Sequence, residues 1–427
     1  MPFSTEIQKG KEYLLNAQIV LKEATSWAEA GYPIAAYQMN LQAYSGVLPT
    51  AEADATRPLT CEQDEKGNYV ISNDKVSYTF AAEDGRLTNW KYGRMVLLNN
   101  DLNKAFDYAN YRWVENDAAS GDDSGGGATG PDAPVANGIS KRQIVSEPTV
   151  ETDGSVRLTV RNEGSLCNVQ YTYTLYPTGV MDLSMRYNPR AKDLRRIGTR
   201  VILPSSLTNV EYYARGPWDN FVDRSDASFL GRYMTTAVDM YEPTPRPQTC
   251  GNRTDMRELI LSDNKSDFHL RVEATNNVDF QLLPFRDEIM SKAKHRWELL
   301  PGNIVLHLDY MQKGVGNGSC GQGTGTLPKY MCPTSGTYGN SVRFTPYTDK
   351  ETGIGCITKP EMAPIQVRVV EGVVVCEGAI PASTSVEVYD LGGSRVAQTF
   401  TSVPTDRLTL SIVSQPVSYT HLTLPTN

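Results

Sequence analysis

Alternation of apolar and polar residues with a period of two most constrains what this chain can fold into. Residues 169–175 (VQYTYTL) alternate in this way, and the pattern returns over 181–187 (MDLSMRY) after a Pro-Thr-Gly turn at 177–179. Successive side chains of a strand point to opposite faces of a sheet. The pattern therefore predicts two half-buried antiparallel strands joined as a hairpin.

Other segments carry the same signal. Alternating apolar residues mark strands around residues 156–160, 268–272 and 304–310, whereas the helix signal is one short stretch from Phe285 to His295. Many strands with few helices predict an all-β protein built of packed sheets. The 427 residues, 40% of them hydrophobic, suffice for two or three domains.

Three stretches interrupt the strand pattern. Residues 48–60 and 350–364 contain prolines or glycines and are interpreted as linkers. Residues 118–134 are rich in Gly and Asp but lack the regular spacing of calcium ligands, so they are interpreted as a solvated loop. The predicted domains are residues 1–47, 61–349 and 365–415.

Charge and cysteine content narrow the classes of partner. A net charge of -8 argues against nucleic acid or an anionic membrane as the main partner. The sequence has no run of about 18 apolar residues, so no membrane span is expected. The seven cysteines form no CxxC or Cys/His cluster, and we expect no zinc site. Cys320 and Cys332 are the candidate disulfide pair; alternatively, the cysteines are small buried residues.

Several motifs recur in a characteristic order. The first is LKEATSWAEAG at residues 21–31, followed by YYARGPWDNF at 212–221 with Asp223 and Arg224 just after it. Further matches are Met240-Tyr241, Gly251-Asn252-Arg253, Arg257-Glu258-Leu259, His307–Tyr310 and Gly314–Gly321. Together they resemble the C-terminal part of glycoside hydrolase family 2 β-galactosidases, over roughly residues 10 to 347.

This resemblance implies a fold. Residues 1–47 would be the end of an immunoglobulin-like domain, with Glu12–Glu23 and Ala35–Gln42 as its last two strands and Trp27 as a core or interdomain aromatic. Residues 61–349 would form the large antiparallel super-sandwich also found in galactose mutarotases. Seven motif residues are interpreted as structural: Gly216, Pro217, Trp218, Asn220, Asp223, Arg224 and Arg257. Gly216 and Pro217 would form a forced turn, and the polar residues would bond a buried loop.

The glycine-rich loop is the candidate substrate contact. Its proposed sugar-facing residues are Asn317, Gly318, Ser319 and Cys320, with a plain glycine-rich turn as the alternative. Cys320 stands where many family members carry a Trp that stacks on the sugar of the leaving group. Either Tyr330 or Trp218 substitutes for that ring, or the preferred leaving group differs.

The expected function follows from what the chain lacks. Retaining glycosidases need two carboxylates about 5 Å apart, and the resemblance implies that both are Glu residues of a (β/α)8 barrel. No segment has that barrel's alternating periodicity. We therefore expect no catalytic residue here and no activity from this chain alone. The expected partners are the barrel part of the same enzyme and a β-galactoside or galacto-oligosaccharide; a homo-oligomer is also considered.

Cofactors and alternatives complete the expectations. The resemblance implies Mg²⁺ and Na⁺ for an intact enzyme, mostly on the barrel, and no metal ligand or cofactor on this chain. One alternative is a stand-alone carbohydrate-binding or mutarotase-like module, in which His269 or His307 works with a Glu such as Glu273. Another is an extracellular structural β-protein.

The C-terminal region carries a second resemblance. Residues 388–393 (VYDLGG) are similar to an element of the sorting domain of type IX secretion, and residues 365–415 would be a truncated small β-sandwich of this kind. This implies a periplasmic, outer-surface or secreted protein. Residues 416–427 resemble translated sequencing-adapter sequence and are not expected to continue the strand pattern.

Overall fold

The computed structural model describes residues 10–51, 54, 56–98, 105–112, 114, 138–192, 194–275, 278–316, 326–349 and six strands between 366 and 423. The chain divides into two compact units, Met1–Thr348 and Asp349–Asn427. The predicted linker 350–364 and the predicted loop 118–134 lie outside the described residues.

The first unit begins with eight strands. They are β1 (Tyr13–Val20), β2 (Pro33–Gln42), β3 (Thr60–Gln63), β4 (Tyr69–Ser72), β5 (Val76–Phe80), β6 (Leu87–Tyr92), β7 (Met95–Leu98) and β8 (Asp107–Ala109). β1 and β2 pair as a two-stranded sheet, and β3 to β7 form a five-stranded meander.

Thirteen strands follow in the same unit. They are β9 (Ile139–Val150), β10 (Val156–Gly164), β11 (Cys167–Leu175), β12 (Met181–Pro189), β13 (Arg196–Leu203), β14 (Asn209–Gly216), β15 (Phe229–Thr236), β16 (Asn252–Arg253), β17 (Glu258–Ser262), β18 (Phe268–Ala274), β19 (Asp279–Leu283), β20 (Ile304–Gln312) and β21 (Tyr338–Thr348). Nine of them form a sheet in the order β15-β14-β17-β18-β21-β12-β11-β10-β9, and a further sheet has the order β16-β19-β20-β13-β8.

The predicted hairpin is confirmed and lies in the middle of the nine-stranded sheet. β11 pairs with β12 in antiparallel register, with Val169 opposite Tyr187 and Leu175 opposite Met181. Alternate residues of both strands are buried. Because this apolar face must be covered, aromatic rings of the meander pack on the large sheet, with Phe80 5.0 Å from Tyr173 between ring centroids. The antiparallel super-sandwich predicted from the sequence is therefore confirmed.

The predicted helix is much shorter than expected. Over residues 285–295 the structure has one α-helix, α1 (Asp287–Met290), and its N-cap Arg286 provides no side-chain hydrogen bond. A helix of a single turn is costly to nucleate, so this segment is held by ion pairs instead: Arg200 binds Asp287 and Glu288, each at 2.9 Å.

The described elements of the second unit are also strands. They are β22 (Gln366–Val370), β23 (Val373–Ile380), β24 (Thr384–Tyr389), β25 (Arg395–Thr401), β26 (Thr405–Ser411) and β27 (Leu422–Thr423). They form two three-stranded sheets, β22-β23-β26 and β25-β24-β27. Leu422 and Thr423 pair with β24, which differs from the expectation that the last residues leave the strand pattern.

The two-stranded sheet at the start exposes apolar side chains. Ile19, Ile34 and Tyr37 are 65%, 57% and 65% exposed. Trp27, expected as a core or interdomain aromatic, is 66% exposed, and its ring makes an edge contact with Tyr32. The ring therefore does not lie in the core of the described chain, and its role as an interdomain aromatic stays a prediction.

Candidate functional site

The candidate loop begins where β20 ends. Gln312 is the last residue of that strand, and Lys313–Gly316 continue the described chain. The predicted sugar-facing residues Asn317, Gly318, Ser319 and Cys320 lie outside the described residues. What the structure shows is how the start of this loop is held.

Asp223 binds the loop base through both carboxylate oxygens. The backbone N–H of Val315 donates to Oδ1 at 3.0 Å, and that of Gly316 donates to Oδ2 at 2.7 Å. Hydrogen bonds to an ionised acceptor are stronger than neutral ones. A Cβ on Gly314 would lie 2.6 Å from Cγ of Asp223, so only glycine lets the carboxylate approach this closely.

Further bonds fix the same four residues. The Arg112 guanidinium donates to the carbonyl oxygen of Lys313. The N–H of Gly314 donates to the carbonyl of Tyr330 at 2.9 Å, and the hydroxyl of Thr326 donates to the carbonyl of Gly314 at 2.8 Å. Both ends of the loop, at 314 and 326, are therefore tied to each other.

Asn220 organises the loop between β14 and β15, residues 217–228, which carries Asp223 and is here called the motif loop. Asn220 is fully buried. Its Oδ1 accepts from both the N–H and the hydroxyl of Thr254, at 2.9 and 2.6 Å, and its Nδ2 donates to the carbonyls of Arg215 and Trp218. The predicted role of Asn220 in bonding a buried loop matches this geometry.

Other motif residues are less enclosed. Trp218 is 67% exposed, directly after the cis Gly216–Pro217 bond. Arg224 lies 3.3 Å from Asp219 and 5.0 Å from the centroid of the Phe221 ring. An exposed Trp on a loop fixed by Asn220 offers a flat apolar face to solvent.

A chain of buried hydrogen bonds runs from the motif loop into the sheet β16-β19-β20-β13-β8. Asn252 donates to the carbonyl of Asn220 at 2.8 Å, and Gln312 donates to Oδ1 of Asn252 at 2.7 Å. Gln312 also donates to Oδ2 of Asp309 at 3.1 Å, and Asp309 forms a fully buried ion pair with Arg196 at 3.1 Å. The last residue of β20 is thereby bonded to the motif loop.

His307 is buried on the same strand between Arg196 and Asp287. Nη1 of Arg196 lies 2.7 Å from Nδ1, and Nε2 lies 3.1 Å from Oδ2 of Asp287. An arginine only donates, so Nδ1 accepts, and Nε2 carries the proton that it donates to Asp287. Burial, together with the Arg196 guanidinium, lowers the pKa of His307 to about 4.

The carboxylates of this network differ in their ionisation. Burial raises the pKa of Asp309 to about 7, although the guanidinium of Arg196 opposes the shift. Burial also opposes ionisation of Asp287, but His307 and Arg200 outweigh it and hold the pKa of Asp287 well below its usual range. Because the network is closed to solvent, its role is structural.

Arg257 joins the first sheet to the super-sandwich. Its Nη2 donates to Oε1 of Glu12 at 2.9 Å, and the hydroxyl of Tyr213 donates to Oε2 of Glu12 at 2.6 Å. The guanidinium also lies 4.7 Å from the centroid of the Tyr44 ring. The structural interpretation of Arg257 fits this position, while sequence reasoning missed Glu12 as its partner.

The histidine and glutamate pairs considered for a mutarotase do not converge. His307 is 1% exposed and cannot reach a sugar. His269 and Glu273 are four residues apart on β18, or about 13 Å along a strand. His269 also binds Ser262, with 2.8 Å between Nδ1 and Oγ, and stacks on Tyr347.

Cysteines and metals add no chemistry to the described site. Cys332 is a free, buried cysteine, and Cys320, its candidate disulfide partner, lies outside the described residues. Over the ranges that the structure describes, no three His, Cys, Asp or Glu side chains cluster so as to hold a metal ion. The described helices include none that is long and apolar enough to cross a membrane.

Comparison with known families defines the class of this protein. The model of the β-galactosidase small chain matches residues 72–344, and that of β-galactosidase domain 4 matches residues 1–42. The chain therefore belongs to the β-galactosidase small-chain family.

Individual relatives agree with this assignment. A β-galactosidase of Priestia megaterium is 25% identical over 353 residues, covering 81% of this chain and 32% of that protein. One of Photobacterium profundum is 28% identical over 324 residues, covering 71% and 30%. The chain thus spans about a third of the length of the relatives it matches. A solved GalM/aldose epimerase homologue from C. elegans is similar at 10% identity, covering 64% of this chain and 96% of that one; its TM-score of 0.39 is too low to carry an inference.

Proposed function

We propose that this chain is the non-barrel, C-terminal part of a retaining β-galactosidase that hydrolyses terminal β-D-galactosides. Its role is to shape the leaving-group side of the active site through the loop that begins at Gly314. The observation that carries this proposal is the bidentate hold of Asp223 on Val315 and Gly316. A loop that selects a substrate needs a well-held base, and these two hydrogen bonds supply one.

The exposed apolar side chains of the first sheet support the view that the chain works as part of a larger assembly. Ile19 and Tyr37 lie on one face of the sheet and Ile34 on the other, and these three side chains and Trp27 expose half or more of their surface. A remainder of an immunoglobulin-like domain would cover these side chains. Catalytic carboxylates, Mg²⁺ and Na⁺ belong, in this proposal, to the barrel; no step is assigned to a metal here.

Complementation with a barrel-containing segment of a family relative tests the proposal. The mixture is expected to cleave o-nitrophenyl β-D-galactoside with retention of anomeric configuration, measured by ¹H NMR before mutarotation. The full chain carrying the substitution Trp27→Ser in its first sheet should complement the barrel-containing segment less well than the wild-type chain does. Inversion at the anomeric carbon would contradict the retaining mechanism.

Export is also proposed, on the resemblance of residues 388–393 to a sorting element. The strand part of that element lies in β24, and residues 390–393 are outside the described ones. Fusion of residues 365–427 to a reporter in a bacterium with type IX secretion tests it. A reporter found in the cytoplasm or the periplasm, and not at the cell surface or in the medium, would count against export by this route.

A further inference from the structure

The outer face of the nine-stranded sheet carries a row of long polar side chains across three strands. Gln170 of β11 lies directly opposite Arg161 of β10 on one side and Arg186 of β12 on the other. Gly339 of β21 lies opposite Arg186 on its far side. Neighbouring strands are about 4.8 Å apart, so the two guanidinium-bearing positions are about 10 Å apart.

A second row, two residues along the strands, consists of hydroxyl groups. Thr159, Thr172, Ser184 and Ser341 are opposite one another in successive strands. Residues two apart on a strand share a face, so these hydroxyls flank the arginine row. The hydroxyls of Thr159 and Thr172 are 3.3 Å apart.

Two open clefts meet at Arg186. One, of about 350 Å³, is lined by Arg161, Gln170, Arg186 and Asn188 among others. The second, of about 380 Å³, extends from Arg186 over Gly339 to Ser184, Thr275 and Ser341. A Cβ at Gly339 would lie 2.8 Å from the carbonyl oxygen of Met185, so glycine lets β21 approach β12 closely beside Arg186. Because Arg186 lines both clefts, the two are here called together the Arg186 groove.

The rest of this face is partly covered by the protein's own chain. The hydroxyl of Tyr44 donates to the carbonyl of Ala274 at 2.6 Å, and Arg343 donates to the carbonyl of Pro49. The segment from Tyr44 to Pro49 therefore crosses β18 and β21. β12, β11 and β10 stay open beyond it.

Arg186 has no carboxylate partner in the part of the chain that the structure describes, whereas Arg343 on the same face is paired with Asp182 at 2.7 Å. Among the described residues, Arg161 pairs with Glu163 alone, at 3.7 Å, and the two side chains are 49% and 38% exposed. An exposed pair at that distance contributes little. The groove therefore has a guanidinium fork available at its centre.

The chemistry of the groove selects a class of ligand. A guanidinium matches a carboxylate or sulfate with two parallel N–H···O bonds, and amides with hydroxyls match sugar hydroxyl groups. The one ring among the described lining residues, that of Tyr338, packs against Tyr310 at 5.2 Å and offers no stacking platform. This favours a charged saccharide over a neutral one.

We propose that the Arg186 groove binds an acidic oligosaccharide, with a carboxylate or sulfate of the ligand on Arg186 and its hydroxyls on Gln170, Asn188 and Ser184. The site is separate from the loop at Gly314 and takes no part in bond cleavage. It would hold the protein on an acidic glycan. Two clefts of about 350 and 380 Å³ on either side of one arginine offer room for more than one sugar unit.

Titration calorimetry of the full chain in about 50 mM salt tests the groove, with trigalacturonate as the acidic probe and β-1,4-galactotriose as the neutral one. The variant Arg186→Gln is expected to weaken trigalacturonate binding at least about tenfold, the loss typical of a charged hydrogen-bonded pair. The matched control is Arg157→Gln, which removes an exposed arginine of the same strand face outside the clefts. It should leave the affinity within about twofold.

Four results would overturn the proposal. They are no trigalacturonate binding by the wild-type chain, equal weakening by Arg157→Gln, equal affinity for the neutral trisaccharide, and binding of inorganic sulfate as tight as that of trigalacturonate. The last would reduce the groove to a simple anion site. Near-ultraviolet circular dichroism of both variants confirms that they are folded.

Discussion

Asp223 and Gly316 are joined by a 2.7 Å hydrogen bond from the backbone N–H of Gly316 to Oδ2 of Asp223, across 93 residues of sequence. The bond connects the motif around Trp218 to the base of the glycine-rich loop. It gives the motif a physical role, because the carboxylate replaces the water that the two loop amides would otherwise need.

Asp223→Asn should loosen the loop base. An amide has one acceptor oxygen and no charge, so one of the two backbone donors, Val315 or Gly316, loses its partner. In a complemented enzyme we expect KM for lactose to rise about tenfold, with a smaller effect on o-nitrophenyl galactoside, whose leaving group is not a sugar. The control Asp226→Asn changes an exposed residue of the same loop. Equal KM values for wild type and Asp223→Asn would contradict the positioning role.

Gly314→Ala should displace the same carboxylate by sterics rather than by charge. The added Cβ would lie 2.6 Å from Cγ of Asp223, whereas a Cβ at Gly302 meets nothing within 4 Å. Amide hydrogen exchange of Val315 and Gly316 should speed up at least about tenfold in Gly314→Ala and stay unchanged in Gly302→Ala. Unaltered exchange in both variants would show that the loop base tolerates the methyl group.

His307 should make the first unit sensitive to acid. Its pKa is about 4 in the folded protein and 6.5 in the unfolded chain, so the unfolded state binds a proton between these values that the folded state does not. Stability is therefore fully present above pH 6.5 and lost as pH falls to 4, by roughly 3 kcal/mol at most. The raised pKa of Asp309 acts in the opposite direction over the same pH range, so the loss is measured as the difference between wild type and a His307 variant in urea unfolding at pH 7 and 4.5.

The variant His307→Gln isolates that effect. It should be less stable at pH 7, because Arg196 and Asp287 lose a buried partner, yet lose less further stability on acidification. His295→Gln, which changes an exposed histidine, should retain the wild-type pH dependence. If His307→Gln kept the wild-type dependence of stability on pH, the acid sensitivity could not be assigned to His307.

Arg257→Ala should weaken the contact between the first sheet and the super-sandwich. The side chains of Arg257 and Glu12 are 13% and 5% exposed, and removal of the cation leaves a nearly buried carboxylate. We expect a loss of roughly 3 kcal/mol in the free energy of unfolding by urea. Arg57→Ala breaks an exposed pair, 62% and 68% accessible, and should cost about 0.5 kcal/mol or less. Similar losses in the two variants would argue against a special role for Glu12.

The sequence predicted the sheets better than the site, for a physical reason. Alternation over residues 169–187 encodes both the strands and their register, because one face of that hairpin is apolar and the other polar. β20 does not follow this alternation of buried and exposed residues. Its first six residues are all buried, so His307 and Asp309 lie inside although their positions alternate with the apolar ones.

Long-range partners were beyond sequence reasoning. Arg196 meets His307 across 111 residues, and no local pattern indicates which buried arginine finds which acceptor. Polar residues at spacing two within an apolar strand were the available signal. The motif could not decide between a core and an interdomain position for Trp27, because its exposure of 66% depends on what else packs on a two-stranded sheet.

Galactosidase assay of the purified 427-residue chain, alone and mixed with a barrel-containing family segment, tests the central claim most directly. We predict no release of o-nitrophenol above buffer by the chain alone and clear release by the mixture. Sustained turnover by the chain alone, in a preparation free of host enzyme, would contradict the claim that its catalytic carboxylates lie on another part of the enzyme.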